Sequence, residues 1–228
     1  MTDVAKNLEL IRTRMQDCAQ RCGRPTDSVS LLAVSKKQPA TAIRQAFNAG
    51  QRDFGENYLQ EALGKMADLE DLPINWWYIG PIQSNKTRGI AENFDWVLSV
   101  PGAKIARRLS DQRPGQCGPL NVCIQVNLSG EETKSGTSLA ALPGLCAELA
   151  SLPGLVLRGL MAIPAPEADP NKQRVVFQQL SDAMASLRQA YPSMDTLSMG
   201  MSGDFEAAIA AGSTQVRLGT ALFGERPR

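Results

Sequence analysis

Short apolar runs alternate with longer helical patterns along most of the chain. The runs are Ser30–Ser35, Asp53–Phe54 into the following glycine, Trp76–Ile79, Trp96–Ser99, Leu120–Val126, Leu155–Ala162, Thr196–Ser198 and Gln215–Leu218. Most lack polar alternation, as expected of parallel strands covered on both faces. Between them, the patterns predict helices over Ala40–Ala49, Asn57–Leu69, Asn85–Asn93, Ala103–Asp111, Ala140–Ser151, Lys172–Tyr191 and Gly203–Ala211. Gly50 and Pro192 mark two helix ends. Eight strands joined by seven helices lack one helix of a (β/α)8 TIM barrel. The leading stretch Val4–Cys22, with apolar Leu8, Ile11, Met15 and Cys18, supplies a helix for the eighth place in the ring. The expected architecture is thus an α/β chain forming one domain over residues 1–228, with the N-terminal helix completing the outer layer. An open doubly wound sheet competes with it, but no GxGxxG fingerprint follows the first strand.

Composition narrows the chemistry. Lys plus Arg is 24 and Asp plus Glu is 23, a balance that speaks against a nucleic-acid partner. No apolar run approaches the ~20 residues of a membrane span, and the N-terminal segment has no signal-peptide core. A soluble cytoplasmic protein is expected. The chain has no histidine, which excludes Ser-His-Asp and Cys-His catalysis and HExxH zinc sites, and no metal site is expected. Its five cysteines form no CxxC pair and read as reduced thiols, with Cys18 and Cys22 packing on the first helix.

In such a barrel the working residues lie at the C-terminal ends of the strands. The polar residues there are Lys36, Glu56, Asn57, Gln83 to Lys86, Asn127, Lys134, Ser202, Arg217, Gly219 and Thr220. A lysine at the mouth is partly desolvated, which frees its amine to attack a carbonyl; a solvated loop lysine is the plainer alternative. Lys36 and Lys37 point opposite ways, and periodicity does not choose between them. On the last strand Gln215, Arg217 and Gly219 share one face. Arg217 is expected to point into the barrel, where a buried guanidinium requires a carboxylate or a ligand. Ser202 stands at an N-cap position before a helix beginning near Gly203, and the loops after strands seven and eight are this fold's usual phosphate site. A plain capped helix also accounts for that pattern. A Schiff-base lysine, an inward arginine and a phosphate cup together suggest pyridoxal phosphate.

The blocks LLAVSKKQP, FGENYLQE, IGPIQSNK, LRGLMAIP and LSMGMSGDFEAAIAAGSTQVRLGTALFG closely resemble the YggS family of pyridoxal phosphate homeostasis proteins, across essentially the whole chain. The resemblance implies a single barrel like the N-terminal domain of alanine racemase, without that enzyme's second domain. It implies that Lys36 holds pyridoxal 5'-phosphate as an internal aldimine, that Ser202, Gly219 and Thr220 bind the phosphate, and that Arg217 lies near the pyridine nitrogen. It also implies that Asn57 in FGENY is a further pocket residue. One block departs: the family's Trp-His-Phe-Ile-Gly is Trp76-Trp77-Tyr78-Ile79-Gly80 here, so no proton-transfer role of that histidine carries over.

The resemblance further implies a cofactor carrier or regulator, with no catalytic residues. An arginine beside the pyridine nitrogen keeps it unprotonated and weakens the ring as an electron sink. Tyr58, Tyr78 and Tyr191 sit in no catalytic motif. The expected partners are pyridoxal phosphate itself and pyridoxal-phosphate-dependent apo-enzymes as recipients, and the expected state is a monomer. Lys134 is a candidate secondary acceptor of the aldehyde. The rival readings are an amino-acid racemase on the same cofactor, a Schiff-base aldolase using Lys36 directly, and a partner-binding domain.

Overall fold

The computed structural model describes residues 3–129 and 135–224. Among them, eight parallel strands close into a barrel in chain order: β1 (Ser30–Val34), β2 (Asp53–Glu56), β3 (Asn75–Tyr78), β4 (Trp96–Val100), β5 (Leu120–Val126), β6 (Leu155–Ala162), β7 (Thr196–Ser198) and β8 (Gln215–Leu218), with β8 pairing back onto β1. The helices form the outer ring: α1 (Val4–Arg21), α2 (Ala40–Asn48), α3 (Leu59–Asp68), α4 (Thr87–Asn93), α5 (Ala103–Gln112), α6 (Leu142–Ala150), α7 (Pro170–Arg188), α8 (Phe205–Ala210) and α9 (Thr220–Phe223). This is the (β/α)8 barrel that the alternation of apolar runs and helical patterns predicts.

Helix α1 fills the eighth place in the ring. Its buried stripe of Val4, Leu8, Ile11, Met15 and Cys18 recurs at three- and four-residue spacing, and Asp3 caps it by accepting from the Lys6 amide at 3.0 Å. It is tied to its neighbours by polar contacts at the stripe's edges. Arg12 donates to the Ala49 and Gly50 carbonyls beyond α2, Arg14 pairs with Glu206 of α8, and Asn7 donates to the Leu222 carbonyl of α9.

Two layers of core follow from strand periodicity. Outward residues such as Ala33, Phe54, Val97, Val122 and Val216 pack under the helices, while Leu32, Trp77, Leu98, Cys123 and Met161 form a separate cluster inside the barrel. The floor of the barrel is closed by Trp77 stacked on Trp96, with ring centroids 4.1 Å apart. Arg158 lies over the Trp96 ring at 4.5 Å and pairs with Asp195. Trp77 Nε1 donates to Asp53 at 3.0 Å, so the indole is satisfied at the N-terminal end of the strands.

Three boundaries differ from the sequence expectation in ways that matter for the mouth. Helix α3 starts at Leu59, leaving Asn57 and Tyr58 in an extended loop. Helix α8 starts at Phe205, with Asp204 rather than Ser202 in the N-cap position. A one-turn helix, α9, follows β8 directly, where the apolar pattern is too short to announce one. Among the described residues no helix is long and apolar enough to cross a membrane.

Candidate functional site

The C-terminal end of the barrel holds a cavity of about 160 Å3 whose wall contains all six candidate residues: Lys36, Asn57, Ser202, Arg217, Gly219 and Thr220. Val34, Ile79, Met161, Ile163 and Met201 supply the apolar remainder. A wider compartment of about 440 Å3 adjoins it, sharing Asn57, Ile79, Ile163 and Met201 and continuing over Pro81, Gln125 and Asn127. Lys36 and Arg217 are the only ionisable side chains among the described residues that line the two spaces.

Strand periodicity and one backbone turn decide between the two lysines. Lys36 continues the inward face of Leu32 and Val34 and lines the cavity, whereas Ser35 faces outward and is fully buried under α3. Lys37 adopts φ +60, the only non-glycine residue in that region among the described residues, and is exposed outside the barrel. Its backbone N–H donates to Glu61 at 2.5 Å.

Arg217 points inward from β8 and is 4% exposed. Of the two acceptors expected, a carboxylate or a ligand, no carboxylate bonds it: the guanidinium donates to the Ser198 carbonyl at 2.8 Å, the Ser198 hydroxyl at 3.0 Å and the Ala162 carbonyl at 2.9 Å. Burial lowers its pKa to about 10, against the attraction of Asp204, so it remains charged at neutral pH. Carbonyl dipoles from β6 and β7 thus hold a cation against the cavity.

Ser202, Gly219 and Thr220 come from two turns. Gly200 has φ +98, and a Cβ there would lie 2.6 Å from that of Ala208, so only glycine lets the chain leave β7 this close to α8. The turn after it is latched by Asp204, which accepts from the Met201 amide at 2.5 Å, and burial raises the pKa of that carboxyl. Ser202 is therefore exposed in a turn facing the cavity and does not cap α8, correcting the sequence expectation. Across the cavity Gly219 is the N-cap of α9 and Thr220 its first residue.

Asn57 follows β2 in the loop before α3. Its Oδ1 is buried with no hydrogen-bond partner, in a residue that lines the cavity. Of the other mouth residues named from sequence, Glu56 faces outward and is wholly buried, Asn127 lines only the adjoining compartment, and Gln83 to Lys86 line neither space. Lys134 lies outside the described residues. Sequence reasoning missed the apolar wall. Its signal was the inward period that carries Val34 and Ile79 to the barrel mouth. Trp77 itself sits on the barrel floor and does not line the cavity, so the family's histidine position is remote from the mouth here.

The chain is a closed parallel barrel with an inward lysine just past β1 and an inward arginine on β8. The family model described as alanine racemase, N-terminal domain matches residues 7–227, and the chain belongs to that family. Within it, the chain stands among the YggS-type relatives named pyridoxal phosphate homeostasis protein. It is 57% identical to the one from Pseudomonas aeruginosa over 226 residues, covering 99% of this chain and 97% of that protein. It is 53% identical to the one from Escherichia coli K12 over 229 residues, covering 99% and 98%. The solved structure of PipY from Synechococcus elongatus with PLP bound superimposes with a TM-score of 0.85 at 39% identity, covering 97% of this chain and 100% of that one. Alanine racemase from Corynebacterium glutamicum, at 19% identity and a TM-score of 0.71 over 61% of its own length, shares the fold.

Proposed function

We propose that the chain binds pyridoxal 5'-phosphate in the mouth cavity and serves in holding and releasing this cofactor, as the names of its relatives indicate for them. The observation that carries the reading is the convergence of six residues from the end of β1, the loop after β2, the turn after β7, and β8 with the turn that follows it on one small cavity. The orphaned Asn57 Oδ1 in its wall supports it. Lys36 would hold the group through its amine, the nucleophile toward the aldehyde that the group supplies. Ser202, Gly219 and Thr220 would hold the phosphate, and Asn57 would serve as a further polar contact. Arg217 would serve the pyridine nitrogen as a donor.

The same geometry argues against turnover. A guanidinium that stays charged near pH 7 keeps the pyridine nitrogen an acceptor, so the ring withdraws electrons weakly. Racemisation also needs a second acid or base opposite the lysine, and neither space offers one among its described lining residues. The reading extends to a monomer that delivers the cofactor to apo-enzymes.

The absorption spectrum of the purified protein, before and after borohydride reduction, tests the binding reading. A visible chromophore that reduction bleaches onto Lys36 is expected, and its absence after loading with pyridoxal phosphate removes the reading in favour of an aldolase. A chiral assay under amino-acid excess tests the second part. Many turnovers per molecule, lost in Lys36→Ala, place the chain with the racemases.

A further inference from the structure

Outside the barrel, on the face of β1 opposite the cavity, an ion cluster joins β1, β2 and α3. Glu56 is fully buried, the Lys65 side chain is 8% exposed, and Glu61 closes the outer side at 28%. Lys65 Nζ donates to Glu56 Oε1 at 2.8 Å and to Glu61 Oε1 at 2.6 Å. The same ammonium donates to the Ser35 carbonyl at 2.8 Å, and the Ser35 hydroxyl donates to Glu56 Oε1 at 2.6 Å. Glu61 Oε1 also accepts from the Lys37 amide at 2.5 Å.

Two of these contacts have a shared consequence. The Ser35 carbonyl belongs to the peptide unit before Lys36, and the Lys37 amide belongs to the unit after it. Both peptide planes flanking Lys36 are thus gripped by one pair of charges, Lys65 and Glu61, which also grip each other. The left-handed turn at Lys37 is a strained conformation that persists only where its surroundings hold it.

We infer that Glu56, Lys65 and Glu61 form a positioning cluster that aims the Lys36 amine into the cavity and so governs its covalent reaction, without touching the ligand. Stability alone does not explain such a cluster. A buried ion pair is often no better than apolar residues of the same volume, and here the second oxygen of Glu56 is buried without a partner. Burial also raises the Glu56 pKa more than Lys65 and Ser35 lower it, which marks the charge as a cost to the fold. The cluster lines neither mouth space, so its effect on the ligand runs through the backbone of Lys36.

The inference rests on Lys36 as the acceptor of pyridoxal phosphate, and the experiment separates the two. Glu61→Gln keeps the size of the side chain, removes its charge at the partly exposed side and is expected to fold; Lys65→Met is the stronger variant. Two quantities are measured: the rate of chromophore formation with pyridoxal phosphate, and the affinity for pyridoxine 5'-phosphate, which has the ring and phosphate but no aldehyde. We expect Glu61→Gln to slow the covalent step about tenfold, equivalent to ~1.4 kcal/mol, with affinity for the aldehyde-free analogue unchanged. Glu61→Asp, which keeps the charge, is expected to restore part of the rate. An unchanged rate in Glu61→Gln overturns the positioning role, as does a parallel loss of rate and analogue affinity, the mark of a merely distorted cavity. If the wild-type protein itself forms no adduct on Lys36, the functional reading fails and takes this inference with it.

Discussion

Gly80 lies against Asn57 so closely that a Cβ on it would stand 2.2 Å from the Asn57 carbonyl oxygen. The glycine leaves β3 beside the loop that carries Asn57, and its own carbonyl accepts from Ser99 at 2.5 Å, so it has little room to retreat. The cavity wall at Asn57 is therefore set by the absence of a side chain on Gly80, just past the neighbouring strand β3. Gly80→Ala is expected to displace the Asn57 loop and to weaken pyridoxal phosphate binding, while a control on α6, Gly144→Ala, whose Cβ meets nothing within 4 Å, leaves it unchanged. Equilibrium titration of both variants checks this, and equal affinities would show that the Asn57 loop adapts freely.

The covalent link is expected on Lys36 and nowhere else to a comparable extent. Lys36 lines the cavity, whereas Lys37 turns away at φ +60. Peptide mapping after borohydride reduction reads this directly, and a main label on Lys37 refutes the assignment. Lys36→Ala is expected to lose the adduct held in the cavity while retaining the barrel's thermal transition.

The phosphate group should carry much of the affinity. A hydrogen bond to a charged group contributes roughly 1.5–3 kcal/mol, tenfold or more in binding. Ser202→Ala and Thr220→Ala should each weaken pyridoxal phosphate by that order and leave pyridoxal, which lacks the phosphate, nearly unaffected. Gly219→Val should weaken both ligands, because a Cβ there meets the Val34 carbonyl at 3.0 Å and crowds the end of the strand that leads to Lys36. Competition titrations giving pyridoxal and its phosphate equal affinities would remove the phosphate cup.

Glu56 makes a prediction about pH. Burial raises its pKa in the folded chain above the unfolded value, overcoming the lowering by Lys65 and Ser35. Such a carboxyl contributes stability that is fully present below the unfolded pKa, ~4.3 for a glutamate, and lost as pH rises through the folded value. Thermal melting of wild type and Glu56→Gln across that window should show wild type losing stability relative to the variant as pH rises. A difference between them that does not vary with pH contradicts the shift.

Trp77→His restores the residue typical of the family at a position on the barrel floor. The variant loses the stack on Trp96, a pair worth about 0.5–1.5 kcal/mol beyond its buried area. A lower Tm with unchanged pyridoxal phosphate affinity is expected. A marked change in affinity at constant fold would connect the floor to the mouth and revise the separation of the two.

The barrel was legible in the sequence because its evidence is local. Eight apolar runs with helical patterns between them, and a leading helix with its own apolar stripe, admit few other closed arrangements. The identities of Lys36, Arg217 and Ser202 as candidates followed from strand ends, and their roles from resemblance. Tertiary structure alone decided three things. It placed Lys36 and not Lys37 in the cavity wall, because a backbone turn at Lys37 and contacts from α3 hold the chain at that point. It supplied Arg217 with carbonyls from β6 and β7 in place of a carboxylate, since β-strand neighbours distant in sequence present their dipoles only once the barrel closes. It put Glu56 outside the mouth and Asn57 in its wall, although they are adjacent in the chain, because alternation along an extended backbone sends consecutive side chains to opposite faces and only the closed barrel says which face is the inside.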